Sequence, residues 1–246
     1  MNIEKLKHAE STFLAKYPHG FADEGMVDIL KRHNKAKLDE FAQQNFAPDC
    51  ASHVEQTVVN MVRCVSRSSM VSMFEKPKFR DFCGRLDRNQ KDFLVDSLVA
   101  FLHGDQQTGF EGILDLLLTE KLGRWSLMTI IPSYYAPQKE VFVKPTTAKI
   151  IIKELELKDL EYKPRPSWEF YTAYRNFVNQ AKLKVDKSIA PSNAAFTGFL
   201  PRFSNAAAIT FVSYIGYGYL IELNQFRLRN FAMRNPLIPS GNFFVG

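Results

Sequence analysis

The stretch KLGRWSLMTIIPSYYAPQKEVFVKPTTAK, Lys121 to Lys149, constrains this chain more than any other. It follows the apolar run LLLTE, and its residues Lys121 to Arg124 predict a tight turn between two helices, with Gly123 free to take a positive φ. The second helix starts near Trp125 and is kinked or ended by Pro132, and another helix is entered through Pro145, Thr146 and Thr147. Everything before this hairpin reads as helices that pack around it. Backbone N–H groups in the first turn of a helix have no intrahelical acceptor. Together with the charges of Lys121 and Arg124 they make the turn competent to bind phosphate oxygens.

Downstream, Lys144, Lys149 and Lys153 recur across the VFVKP loop and the helix it enters. One reading places Lys144 at the floor of a cleft, in contact with a phosphate or a carboxylate. The other is a solvated lysine face with Glu140, Glu154 and Glu156 as partners. Trp125 reads as core. Tyr134 and Tyr135 lie before Pro137, where loop aromatics can stack on bases.

Helical periodicity organises the segments upstream. Ile3, Leu6, Phe13 and Leu14 share one face of a helix over 3–16, which Pro18 and Gly20 stop. A single long helix is expected from Asp23 or Glu24 to just before Pro48, and a third from Ser52 to Val65, with Ser52 and Glu55 as a capping box. A short helix containing Pro77 ends at Gly84. Arg63, Arg67, Lys76, Lys78, Arg80, Arg85 and Arg88 make 63–88 the densest basic region, either a phosphate-facing surface or solvated helix ends. Asn89 to His103 predicts an amphipathic helix with Phe93, Leu94, Leu98, Phe101 and Leu102 inward, and Phe110 to Leu118 a buried one. His103 reads as a helix-end histidine interacting with the dipole rather than as an acid–base partner of Asp105. After an extended LEYKPRPSW linker, Ser167 caps a helix that runs through Ala181.

Composition bounds the function classes. With 46% hydrophobic residues and 21 Phe in 246, the chain can bury a large core. The net charge of +6 hints at an anionic partner. However, Lys187, Arg202, Arg227, Arg229 and Arg234 face only Glu222 after residue 186, so the first 186 residues carry a net of only +2. A nucleic-acid surface must therefore come from local clustering. Cys50, Cys64 and Cys83 form no CxxC pair, and MNIEKLKHAES lacks a signal-peptide apolar run, so a reducing cytoplasm is expected. The five histidines show no metal-ligand spacing, and neither a metal nor another cofactor is expected. Beyond Ser188 the acidic residues nearly vanish. From Phe203 to Ile221 no residue is charged, but Ser204, Asn205, Thr210, Ser213 and two glycines disfavour a membrane span.

On its hairpin the chain resembles the helix-hairpin-helix superfamily of DNA glycosylases, in which an LPGxG hairpin precedes a helix, a short loop and an apolar V-x-V-D segment. The resemblance covers Leu116 to Ile152. In that register the family's catalytic aspartate falls on Lys144 and its nucleophilic lysine on Trp125, while the first hairpin glycine is replaced around Glu120 and Lys121. A cation thus stands where a carboxylate would stabilise the cationic sugar. Across 1–200 the segments FEK, HGD, GRWSLMT, VFVKPTTAK, YKPRPSWEFY and APSNAAFTGFL resemble a family of uncharacterised bacterial proteins, which brings no activity with it.

The expectation is an all-α protein, a multi-helix orthogonal bundle with a helix-hairpin-helix-like element at 116–152 inside a body over 1–186. A basic, apolar-rich tail over 187–246 either packs on that body or is poorly ordered. The function expected is DNA binding without standard glycosylase activity, through Lys121, Gly123, Arg124, Lys144 and Lys149, with no catalytic residue assigned. The alternatives are a divergent glycosylase or lyase using the Lys144 amine, and a protein-interaction module without catalysis.

Overall fold

Eleven α-helices and four short 3-10 turns, with no strand among the described residues, make this an all-α protein. In the computed structural model residues 1–200 are described, without the side chains of 28–30 and 32. The tail from 201 on, including the uncharged Phe203 to Ile221, lies outside the described residues. Among those described, no helix is long and apolar enough to cross a membrane.

Helix α1 (Ile3–Lys16) is capped by Asn2, whose side chain accepts from the Lys5 amide. The single helix expected before Pro48 is two, α2 (Glu24–Arg32) and α3 (Lys35–Asn45). Asn34 between them takes a left-handed conformation at φ 50°, which asparagine tolerates better than most residues and which a continuous helix cannot contain. Helix α4 (Val54–Arg67) is entered from a 3-10 turn over Pro48–His53. His53, not Ser52, occupies its N-cap, with no side-chain capping bond, so the expected Ser52–Glu55 box does not form.

Helices α5 (Glu75–Arg85), α6 (Arg88–His103) and α7 (Gln106–Thr119) follow. A capping box does form at α6, where Asp87 accepts from the Gln90 amide and Gln90 accepts from the Asp87 amide. The α6–α7 pair makes the most extensive helix contact of the fold. Gly109 and Gly112 of α7 permit it by meeting Ser97 and Phe101 of α6 without a Cβ between them. Phe93, expected inward, is 48% exposed on this pair and touches the space above Gly112.

The central core is aromatic. Phe101, Phe110, Trp168 and Tyr171 pack with ring centroids 5.5–6.2 Å apart, and Trp125, Phe170 and Tyr174 extend the chain of rings. These residues come from α6, α7, α8 (Trp125–Tyr135) and α10 (Trp168–Ala181). Rings of this size bury large apolar areas and favour tilted and edge contacts, so seven of them lock four helices together. Helix α8 continues through Pro132 to Tyr135 rather than ending there.

Packing continues past Lys187. Ile189, Phe196, Phe199 and Leu200 are buried, Phe199 meets Phe13 of α1 at 5.6 Å, and the Ser188 carbonyl approaches Gly20 so closely that no side chain fits there. Helix α11 (Asn193–Phe199), capped by Ser192, leans on α10 and on α9 (Pro145–Glu154). The compositional shift at 187 therefore precedes the end of the packed body, which falls within a unit over Met1–Asn205.

Candidate nucleic-acid interface

The turn after α7 closes by a left-handed residue, and that residue is Lys121 at φ 58°, not Gly123. The Leu122 amide donates to the Leu117 carbonyl at 2.8 Å and the Lys121 amide to that of Leu118 at 3.1 Å, the two bonds of a Schellman cap. Gly123 has a different task. A Cβ there would press on the side chains of Leu118 and Leu114, so its lack of a side chain lets the turn fold back on α7. Lys121 and Arg124 are exposed at this turn.

Helix α5 lies across the hairpin, tied at both ends. Ser126, in the first turn of α8, donates its hydroxyl to Glu75 at 2.7 Å, and Arg85 pairs with Glu120 at 3.1 Å. The Glu75 carboxylate thus supplies the negative charge that the N-terminus of α8 favours. An incoming phosphate would be held by the turn's cationic side chains more than by the α8 amides. The expected linker 160–167 is a strap on the same element. Its Lys163 carbonyl accepts from Trp125 Nε1 at 2.8 Å, and Pro166 is buried.

The five residues singled out in the sequence separate into two places. Lys149 lies with its ammonium 5.1 Å from the centre of the Tyr162 ring. Burial pushes the Tyr162 phenol above its ordinary pKa, and the charge of Arg124 is near enough to offset part of that rise. Lys149 thus lies over the Tyr162 ring, and the charge of Arg124, from the turn that also holds Lys121 and Gly123, reaches the same phenol. Lys144 faces elsewhere. It is the N-cap residue of α9, half-buried, with burial lowering its pKa. Its charge is felt by His33, where burial and Lys144 both lower the imidazole pKa, and His33 Nδ1 lies 2.7 Å from Ser69 Oγ.

Several expected partnerships change. Glu140 is buried away from the lysine face and pairs with Arg175 at 2.8 Å, while Glu156 pairs with Lys5 of α1. Tyr134 and Tyr135 belong to α8. Tyr134 is buried with its hydroxyl 2.9 Å from Ser68, and Tyr135 is edge-on to His103, so neither is a loop aromatic. His103 Nε2 meets the Phe46 carbonyl at 2.8 Å, and Asp105 caps α7 instead of facing it.

Sequence reasoning missed the polar cluster around Glu140. Its carboxylate also accepts from Tyr171 at 2.6 Å and Gln106 at 3.2 Å, and Arg175 stacks over Trp168 and Tyr171. Nothing in local patterning signals it, because the partners come from α7, α10 and the loop after α8. Two shallow depressions, one lined by Glu4, Lys5, His8 and Glu154 and the other by residues of α4, α5 and α6, include none of the five site residues. Among the described residues no group of three acidic, histidine or cysteine side chains could hold a metal ion.

No protein-family model, curated protein or solved structure matches the chain.

Proposed function

We propose that this protein binds DNA, holding the phosphate backbone on the hairpin face formed by Lys121, Gly123, Arg124 and Lys149. The observation that carries the reading is the exposure of Lys121 and Arg124 on the turn, with Lys149 held over the nearby Tyr162 ring at 5.1 Å and the charge of Arg124 reaching the same phenol. Lys149 comes from α9 and Lys121 and Arg124 from the turn that enters α8, and together they form a local positive patch on a chain whose first 186 residues carry a net charge of only +2. No catalytic residue is needed for this role. Three buried, unpaired thiols fit a reducing compartment such as the cytoplasm.

Fluorescence anisotropy with labelled DNA across a salt series tests the reading. Affinity should fall as salt rises, and Lys121→Glu with Arg124→Glu should reduce the magnitude of the log–log salt slope by about 2, roughly 0.9 per phosphate contact. Absent or salt-insensitive binding rejects it. Loss of DNA binding alongside retained self-association would favour an interaction module instead.

A second reading, a lyase acting through an amine, is supported by the half-buried position of Lys144, where burial lowers the ammonium pKa. Borohydride reduction in the presence of abasic-site DNA should then trap a covalent adduct that Lys144→Ala abolishes. If no adduct forms, Lys144 has no such chemistry.

A further inference from the structure

Helix α5 begins at an exposed apolar tip. Met73 is 58% and Phe74 67% exposed, in a loop that leaves the end of α4 and turns through Ser72, whose hydroxyl accepts from the Phe74 amide. A phenylalanine this exposed loses the burial that normally stabilises one, and here it adjoins a second exposed apolar side chain. Its chain neighbour Glu75 receives the Ser126 hydroxyl at 2.7 Å, which ties the start of α5 to the first turn of α8, two residues after Arg124.

The charge around the tip is predominantly positive. From Arg63 to Arg80 the chain carries Arg63, Arg67, Lys76, Lys78 and Arg80 against Glu75, whose carboxylate accepts from Ser126 and keeps its charge, and Arg80 pairs with Asp81 at 2.8 Å. Arg67, Lys78 and Arg80 are exposed. A planar apolar ring flanked by cations on its own helix and on the adjoining hairpin is complementary to an anionic chain that also presents flat apolar faces. Single-stranded nucleic acid has both; duplex DNA keeps its base faces stacked inside. An anionic bilayer would call for a broader apolar face than a two-residue tip.

We infer that Met73 and Phe74 form a base-stacking element and that the strand held by the hairpin face is single-stranded. This rests on the proposed hairpin reading and specifies its substrate class. The phosphates lie along Lys78, Lys121 and Arg124 while an unpaired base covers the Phe74 ring.

The test compares an oligothymidylate with a duplex of equal length for wild type, Phe74→Ala, Phe74→Trp and Lys121→Glu with Arg124→Glu, each first checked for an unchanged thermal melt. The wild type should prefer the single strand, and Phe74→Ala should weaken single-strand binding about tenfold or more while leaving duplex binding unchanged. Phe74→Trp should retain affinity, with its indole emission quenched on binding. Equal binding of Phe74→Ala and wild type to the single strand overturns the stacking element but leaves the hairpin reading standing. Wild-type behaviour of the charge-reversed hairpin overturns the reading beneath it. Binding of the wild type to vesicles containing anionic lipid, lost in Phe74→Ala, with no nucleic-acid binding by either, overturns both in favour of a membrane surface.

Discussion

Tyr171 donates its hydroxyl to the buried carboxylate of Glu140 at 2.6 Å, joining the first turn of α10 to the loop that follows α8. Arg175, one turn further along α10, donates to both oxygens of the same carboxylate. Asn193 of α11 reaches the Glu140 backbone carbonyl at 3.1 Å, so one residue gathers α10, α11 and the hairpin's outgoing loop. A buried carboxylate stripped of its cation is far more costly than the pair is stabilising. Arg175→Ala should therefore lower unfolding free energy by about 3–5 kcal/mol. Tyr171→Phe should cost about 1–3 kcal/mol. Replacing Glu140 and Arg175 together by leucine should recover part of the Arg175→Ala loss. Urea denaturation decides; an Arg175→Ala loss no larger than that of an exposed ion pair would contradict the structural role.

The α6–α7 contact depends on two glycines that should respond differently. At Gly109 a Cβ would collide with the backbone nitrogen of Phe101 and lie 2.5 Å from the Ser97 carbonyl oxygen, groups that cannot swing aside. Gly109→Ala should destabilise by about 1–3 kcal/mol or more, despite alanine's better helix propensity. At Gly112 the collision is with the Ser97 hydroxyl, an atom a rotamer change or a mutation removes. Gly112→Ala should be milder and should be rescued by Ser97→Ala, while the same partner leaves Gly109→Ala unrescued. Thermal melts of the four variants measure this.

Lys121 is strained and is also placed on the proposed binding face. Its φ of 58° is a conformation that costs a side-chain-bearing residue about 1–2 kcal/mol, partly offset in glycine by the entropy of the unfolded chain. Lys121→Gly should raise stability by about 0.5–1 kcal/mol and weaken DNA binding in the same protein. Opposite signs in the two assays would separate backbone strain from charge. A loss of stability would show that the Schellman cap does not govern the turn.

Alkaline pH should expose the two most buried thiols. Burial pushes Cys64 and Cys83 from 9.0 up to about 12. Unfolded thiols ionise first, near 9.0, so the unfolded state loses protons that the folded state keeps. The contribution is complete below that pH and is lost as pH rises toward about 12, at roughly 1.4 kcal/mol per pH unit for each thiol. Tyr171, also held up by burial and by Glu140, adds to the fall. Unfolding free energies across this range should decline less steeply in Cys64→Ala with Cys83→Ala. An unchanged slope would exclude the thiols as its source.

Much of the fold was legible in one dimension. The periodic apolar residues of α1, the Ser167 cap and the run to Ala181, and the Pro145 entry to α9 all follow from rules acting within about one helical turn, and the structure places helices there. Trp125 reads as core by size and neighbourhood, and it is 1% exposed. Errors came where a local rule had a local competitor. Gly123 looked like the left-handed residue, but Lys121 two positions earlier takes that conformation, because the glycine is needed where the turn backs onto Leu118. The helix over 24–47 broke at Asn34, a position whose tolerance for left-handed geometry is visible in sequence but whose use is not.

What the sequence determined by itself was the all-α class, most of the helices, the turn between α7 and α8, and the presence of cations around it. Only the tertiary structure decided which of those cations share a face. Lys144 and Lys149 sit five residues apart, yet the charge of one reaches His33 and the other lies over Tyr162, whose phenol also feels Arg124 of the turn before α8. Tertiary packing also turned Glu140 from a solvated partner into a buried hub and tied Glu75, the residue after Phe74, to the first turn of α8. Helix formation is governed by residues within a turn or two, which a sequence displays directly. Charge convergence and burial depend on contacts between distant residues, and those exist only once the helices have packed.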